Sequence, residues 1–230
     1  MTSEISGSMR APTVLKVLEN IRDKIIMQEL KHGDMLTENN LAADYNVSRG
    51  SVRSALVLLE NEGLISTLSN GRRSVVGINE KFIDDLYETR IALEREAAFC
   101  CIKQPVLDLS PLAGALTKFY TLKTAPTEIV YLNRAIVNTY FHRAIFKTSG
   151  NRSLLQCCET IEPMMFALAK LNYKTLGDAC DDDELVRTHT LILELISKKD
   201  VTVAEEITKH ISLAKVESIA GMKIITAGAG

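Results

Sequence analysis

Two arginines four residues apart are candidates for contact with a nucleic acid. Arg49 and Arg53 follow Ser48, a residue type that often caps a helix, so both guanidinium groups lie on one face of a predicted helix. An arginine can bind guanine O6 and N7 through two hydrogen bonds or pair with a phosphate. An isolated pair of this kind more often forms a solvated helix face. The predicted elements around the pair therefore determine whether DNA contact is the better interpretation.

The segments around the pair predict a small DNA-binding domain. Apolar residues at helical spacing predict a first helix over residues 13–30. Thr37 and Ser48 are predicted to cap two further helices, and residues 64–68 and 72–76 are typical of the strands of a β-hairpin. Three helices and a hairpin outline a winged helix-turn-helix, whose third helix enters the major groove by its N-terminal end. This agreement favours DNA binding.

The predicted DNA contacts lie at the starts of the second and third helices and at the hairpin turn. Serine hydroxyls and backbone amides at a helix start suit phosphate oxygens. The hairpin turn is basic and open, which suits a minor groove or the DNA backbone. The predicted DNA-binding residues are Thr37, Asn39, Ser48, Arg49, Ser51, Arg53, Gly71, Arg72 and Arg73.

Three of the four histidines fall in the second half of the chain. His142 lies one helical turn after Asn138, whereas His189 and His210 lie on two later predicted helices. Side chains that project inward from several helices of a bundle can form a metal site. From the residues alone, the commoner interpretation of each histidine is a surface or core residue, and both possibilities remain open.

The second half of the chain is predicted to be helical throughout. Helices are expected over residues 81–102, 110–122, 127–148, 152–173, 181–198 and 202–220. An antiparallel bundle is the simplest arrangement of six such helices. The predicted fold class is therefore mainly α: a winged helix-turn-helix of three helices plus a β-hairpin, followed by an all-α antiparallel helical bundle. The predicted boundaries are a flexible tail at 1–10, domains at 11–78 and 79–222, and a flexible tail at 223–230.

The composition is that of an ordinary globular protein, with 46% hydrophobic and 24% charged residues. No apolar run is long enough to span a bilayer and no secretory signal is apparent, so we expect a cytoplasmic protein without a membrane partner. The five cysteines include no C-x-x-C pair and are interpreted as small core residues. A net charge of −2 argues against a general nucleic-acid coat but not against a sequence-specific reader.

The segment from Leu36 to Ile65 resembles the DNA-binding signature of GntR-family regulators. It contains L-x-E-x-x-L-A, V-S-R-x-x-V-R-x-A-L and E-G-L-I in the family's order. The helical part that follows is similar to the FCD ligand-binding domain of the FadR subfamily, so the resemblance covers nearly the whole chain. Two positions depart from the pattern. Asn39 stands where many relatives carry arginine, and Gly50 where threonine or alanine is commoner.

The resemblance also implies a divalent metal. FCD domains often bind such an ion through an aspartate, a histidine four residues later and two further histidines. The ligands implied here are Asn138, His142, His189 and His210, with an amide in place of the aspartate. Because an amide oxygen is a neutral, weaker ligand, the site has one negative charge fewer. Zinc, nickel or manganese fits such donors, with open positions for a carboxylate effector.

Arg90 and Glu94 resemble the R-x-x-x-E element that opens the FCD domain. A buried arginine there would hold an effector carboxylate through two hydrogen bonds, whereas the alternative is an ion pair between the two residues themselves. Arg134 and Asn151 are further candidates for effector binding.

The sequence therefore predicts a transcriptional regulator, most simply a repressor, and not an enzyme. We expect it to bind double-stranded operator DNA as a homodimer and to release or engage that DNA when a small carboxylate effector binds. One alternative is a metal-dependent hydrolase, for which no motif supplies a general acid or base. Another is a helical adaptor that dimerises and keeps a vestigial metal site.

Overall fold

The computed structural model describes residues 12–124 and 129–228, in which nine α-helices and three short strands confirm the mainly α fold. The chain divides into two compact units, which are described separately: residues 12–80 with 222–228, and residues 81–124 with 129–221. The expected tail at 1–10 lies outside the described residues. Among the helices of the described ranges, none is both long and apolar enough to cross a membrane.

The first unit has the predicted winged helix-turn-helix order. Its core includes the fully buried Ile21, Leu56 and Leu59, which recur at helical spacing along the first and third helices. In chain order its elements are α1 (Pro12–Ile26), β1 (Met35–Leu36), α2 (Glu38–Asp44), α3 (Arg49–Asn61), β2 (Ile65–Thr67) and β3 (Arg73–Val75).

Two short polar residues set the starts of α2 and α3, as predicted. Thr37 accepts a hydrogen bond from the backbone N–H of Asn40 at 3.4 Å, and Ser48 accepts one from that of Ser51 at 3.1 Å. Asn46, with φ of 51°, makes the tight turn between the two helices. These contacts place Arg49 in the first turn of α3.

Two predictions for this unit were wrong in detail. The sheet has three strands in the order β1-β3-β2, not two, because Leu36 pairs antiparallel with Arg73. A two-residue strand is too short to show an alternating pattern. The first helix ends at Ile26 and not at residue 30, because Gln28 adopts a φ of 59° and the backbone N–H of Leu30 bonds back to the carbonyl of Lys24.

The second unit is a helical bundle. Its elements are α4 (Glu80–Lys103), α5 (Ser110–Thr117) with a 3-10 helix (Lys118–Thr124), α6 (Val130–Thr148), α7 (Arg152–Leu176) with a 3-10 turn (Gly177–Ala179), α8 (Asp182–Ser197) and α9 (Val203–Gly228). Glu80 at the start of α4 and residues 222–228 at the end of α9 are counted with the first unit. The predicted start of the sixth helix at Thr127 lies outside the described residues. Asn151 and Asp181 cap α7 and α8 through their side-chain oxygens.

Three expectations for the second half of the chain were wrong. The fifth helix tightens into a 3-10 helix at Lys118, which places the buried Phe119 and Leu122 on one face. The tail expected from residue 223 is helical up to Gly228, since neither proline nor glycine interrupts residues 222–227. Of the five cysteines, interpreted as core residues, only Cys101 and Cys158 are buried.

Candidate DNA-binding surface and metal centre

The predicted DNA-reading residues lie on the accessible face of the first unit. Arg49, Arg53 and Asn39 are exposed on α3 and α2, and the side chain of Arg53 is 59% exposed. Gly71 and Arg72 are exposed in the turn between β2 and β3, where Gly71 adopts a φ of 77°. Helix α3 and the hairpin formed by β2 and β3, which we call the wing, thus present cationic side chains to solvent.

A carboxylate that sequence analysis missed joins two of these cations. Glu38 accepts two hydrogen bonds from Arg53, at 2.8 Å from Nε and 2.7 Å from Nη2, and lies 3.5 Å from Nη1 of Arg73. The hydrogen bond from Arg53 and the positive charges around it lower the pKa of Glu38. Fifteen residues separate Glu38 from Arg53, so no helical spacing could indicate the contact. The only signal was the glutamate in L-x-E-x-x-L-A.

A second ion pair of the same geometry lies elsewhere in this unit. Arg22 on α1 donates to both carboxylate oxygens of Glu62, just after α3, at 2.9 and 2.7 Å. Arg22 is only 4% exposed, so this ion pair lies in the interior of the unit. It therefore serves as a control for the exposed pair of Glu38 and Arg53.

Four predicted metal ligands converge in the second unit. Asn138 and His142 lie on α6, His189 on α8 and His210 on α9. Asn138 Oδ1 is 3.1 Å from His189 Nε2, and the Nε2 atoms of His142 and His210 are 3.2 Å apart. The candidate ligand atoms of the three histidines all lie within 4.8 Å of one another.

Hydrogen bonds on the outer side of two imidazoles set their tautomers. The Nδ1–H of His189 donates to the carbonyl of Leu185 at 2.7 Å, and that of His142 to Glu94 at 2.6 Å. Burial lowers the pKa of His189 to about 3 and also lowers that of His142 and, well below its usual value, that of His210. The rings are therefore neutral at pH 7, and the lone pairs of His142 and His189 Nε2 point inward.

The four candidate ligands fit a divalent metal. Asn138 Oδ1 and His189 Nε2 are both acceptors, and two facing acceptors need a cation, or the NH₂ group of the amide, between them. Ligands at about 2.1 Å from an ion and about 90–110° apart are separated by roughly 3.0–3.4 Å, which brackets the two short distances above. The largest distance between the ligand atoms of the three histidines, which is at most 4.8 Å, would have to shorten when the ion binds.

A buried ion pair between Arg90 and Glu94 lies next to His142. Arg90 Nε donates to Glu94 Oε1 at 2.7 Å, and the two side chains are 7% and 2% exposed. Burial alone would raise the pKa of Glu94, but its interactions with His142 and Arg90, including a hydrogen bond from each, outweigh it and lower the pKa to about 2. Glu94 therefore holds the imidazole of His142, a candidate metal ligand, in the way that outer carboxylates often do in metal sites.

Aromatic rings enclose the same cluster, and sequence analysis did not identify them. Phe119, in the 3-10 helix after α5, lies 4.5 Å from the His189 ring by centroid, and Phe141 lies 4.8 Å from it. Both phenylalanines are buried, so they exclude water from one side of the imidazole.

Two residues predicted to bind the effector have other contacts. Arg134 donates to Asp182 at 2.8 Å and to the backbone carbonyls of Gly177 and Cys180, so it secures the turn between α7 and α8. Asn151 accepts hydrogen bonds from two backbone N–H groups at the start of α7. Neither lines the cavity beside the histidines, whereas Arg90 does.

That cavity has a volume of about 300 Å³ and is bounded by α4 and α6 to α9. Arg90, Asn138 and His210 contribute to its wall, and Tyr173 and Glu217 contribute further along. A small ligand in it would lie against Asn138 and His210, two of the four candidate metal ligands.

A winged helix-turn-helix followed by an all-helical domain is the arrangement of a two-domain DNA-binding regulator. Residues 13–75 match the family model for bacterial regulatory proteins of the gntR family, and residues 85–213 match that for the FCD domain. The chain therefore belongs to the GntR family and carries an FCD domain.

Individual relatives agree with this assignment. The gluconate operon transcriptional repressor of Bacillus subtilis (strain 168) is 27% identical over 196 residues, covering 83% of this chain and 78% of that protein. The regulator YdhC of the same organism is 28% identical over 199 residues, covering 85% of each. Among solved structures, E. coli McbR/YncC has a TM-score of 0.61 at 22% identity, covering 96% of this chain and all of that one.

The buried pair of Arg90 and Glu94 should be needed for stability. Glu94→Gln leaves the guanidinium of Arg90 without its counter-charge, which we expect to lower the free energy of unfolding by about 3 kcal/mol. Urea unfolding followed by circular dichroism measures this, with the exposed Glu96→Gln on the same helix as the matched control. Equal stability of the two variants would show that the pair contributes nothing.

Proposed function

We propose that this protein is a transcriptional repressor whose affinity for operator DNA is controlled by a small carboxylate effector bound at a divalent metal. The observation that carries the metal half is the set of inward-facing neutral donors beside a cavity, in a chain whose other domain belongs to a DNA-binding family. The named relatives from two Bacillus species, both gluconate operon repressors, support repression. Such a protein acts in the cytoplasm, where the chromosome is.

The DNA half of the proposal assigns different roles to α3 and the wing. Arg49 and Arg53 contact bases and phosphates in the major groove, with Ser48, Ser51, Thr37 and Asn39 near the backbone. Gly71, Arg72 and Arg73 supply contacts that are largely independent of sequence. Two copies of the chain bind two half-sites as a homodimer, since readers of this kind pair about a two-fold axis.

The metal half of the proposal follows from charge. The ligands are Asn138, His142, His189 and His210, which are all neutral, and the charge of Arg90 is already balanced by Glu94. A bound zinc, nickel or manganese ion would supply a Lewis-acidic centre whose two positive charges the ligands do not offset. An anion is thereby favoured next to it, so we infer that the effector binds through a carboxylate.

Removing either arginine of α3 should weaken operator binding without changing assembly. We expect Arg49→Ala and Arg53→Ala each to lower affinity roughly tenfold or more for a duplex that the wild-type protein has selected from a random pool. Gel-shift titration at fixed salt measures affinity, and sedimentation should show the same dimer for all three proteins. Unchanged affinity in both variants would remove α3 from the interface.

Glu38→Gln should lower the ability of the protein to discriminate between DNA sequences. Without the carboxylate, Arg53 and Arg73 lose a fixed geometry and become free to pair with any phosphate. We expect weaker binding to the selected duplex, stronger binding to poly(dI-dC), and a steeper salt dependence on the latter, by about one unit of slope.

The matched control for this experiment is Glu62→Gln, which breaks a pair of equal geometry in the interior of the unit. It should lower stability and leave the ratio of the two DNA affinities unchanged. If Glu38→Gln behaves in the same way, Glu38 acts only in folding.

Asn138→Asp should strengthen metal binding. A carboxylate in place of the amide offsets one charge of a dication, and we expect zinc or nickel affinity to rise by roughly tenfold in calorimetric titrations. Asn133→Asp, which makes the same charge change on another face of α6, should leave it unchanged. D-gluconate should increase metal affinity more in the wild type than in Asn138→Asp. Absence of metal binding by both proteins would refute the metal half of the proposal.

A further inference from the structure

A carboxylate on α9 lies in the same cavity as the candidate metal ligands. Glu217 follows His210 by seven residues, so the two side chains leave the helix on nearly the same face, about 10 Å apart along its axis. Both line the cavity, with Leu213 and Ala214 between them. The cavity therefore extends along α9 from His210 to Glu217.

Glu217 has no ion-pair or hydrogen-bond partner among the residues that the structure describes. It is half-buried, and that burial raises the pKa of its carboxyl group. Tyr173, on α7, lines the same cavity, and its hydroxyl also lacks a partner within the described part of the chain. Buried polar groups are costly unless hydrogen-bonded, so a carboxylate and a hydroxyl without partners at one cavity indicate a ligand.

Neighbouring polar groups of the cavity are already engaged. Tyr87 bonds to Ser218 at 2.7 Å, and Ser218 bonds to Asn172 at 2.8 Å, so this chain of hydrogen bonds joins α4, α7 and α9. Glu184 pairs with Arg187, and Glu206 lies 4.0 Å from the ammonium group of Lys209. Glu217 and Tyr173 thus differ from these neighbours in having no partner among the residues that the structure describes.

We propose that Glu217 and Tyr173 form a second subsite, which binds a hydrogen-bond donor at the end of the effector opposite its carboxylate. This inference rests on the proposed function, in which the carboxylate lies at the histidine end. The donor is a hydroxyl or an ammonium group, because a carboxylate accepts hydrogen bonds and attracts cations. The effector is a short monocarboxylate with a polar tail. A dicarboxylate is disfavoured because its second anion would face Glu217, and an unsubstituted fatty acid leaves both acceptors unpaired.

Matched acids test this subsite on the zinc-loaded full-length protein. Calorimetry compares hexanoate, 6-hydroxyhexanoate, 6-aminohexanoate and adipate, then the corresponding four-carbon series and D-gluconate, with acetate as the common reference. We expect the hydroxy or the amino acids of at least one series to bind at least tenfold more tightly than the unsubstituted acid and the diacid. A preference for the amino over the hydroxy acids identifies an ammonium group as the donor, and the reverse identifies a hydroxyl.

The variants Glu217→Gln and Tyr173→Phe locate the effect. Each should reduce the preference for the polar tail by roughly tenfold and leave acetate binding unchanged, whereas Glu205→Gln, at an exposed position of α9, should change neither. Glu217→Gln should also improve the binding of adipate, since it removes a negative charge.

The outcomes distinguish a failure of the subsite from a failure of the proposed function. If acids bind but polar-tailed, unsubstituted and dicarboxylic members bind alike in every series, or if Glu217→Gln has no effect, the subsite does not exist and the proposed function stands. If no acid binds, acetate included, the carboxylate site of the proposed function fails, and the subsite with it.

Discussion

The candidate metal centre depends on the buried carboxylate of Glu94. Its two oxygens face different partners, Arg90 on its own helix and His142 on α6, so one side chain ties two helices together and fixes a tautomer. Because Nδ1 of His142 donates outward, Nε2 is left to face the other donors. A neutral side chain in this position would leave a buried guanidinium unpaired and the imidazole free to reverse its tautomer.

The DNA-binding unit uses a carboxylate in a similar way, under different physical conditions. Glu38 also joins groups from separate elements, here α3 and β3, but Arg53 is largely exposed and water screens the pair. Such a pair contributes little to stability. In the proposed DNA complex its larger consequence would be for recognition, since phosphates would compete with Glu38 for the same guanidinium groups. We therefore expect Glu94 to matter for folding and Glu38 for selectivity.

Local patterns account for what the sequence predicted well. Caps such as Thr37 and Ser48 act within four residues, and the spacing of Asn138 and His142 is a property of one helix, so both could be read directly. Contacts between distant residues could not. Neither the pairing of Glu38 with Arg53 nor the packing of Phe119 against His189 has a local signal.

The same limit applies to residues such as Arg134, whose contacts the sequence did not indicate. A buried arginine is equally suited to an effector carboxylate and to backbone carbonyls, and only the fold shows that Arg134 secures the turn after α7. The convergence of three histidines from α6, α8 and α9 was likewise implied by resemblance and not by spacing, because helices far apart in sequence have no fixed relation until they pack.

The two ends of the proposed effector cavity differ in charge. At the histidine end, a dication among neutral ligands retains both of its positive charges, since Glu94 is balanced by Arg90. Along α9, Glu217 contributes a negative charge without a partner among the described residues. A ligand with a carboxylate at one end and donors at the other has one favourable orientation in such a field, whereas a diacid has none. The amide of Asn138 strengthens this polarity, because an aspartate there would offset one positive charge at the end proposed to bind the carboxylate of the effector.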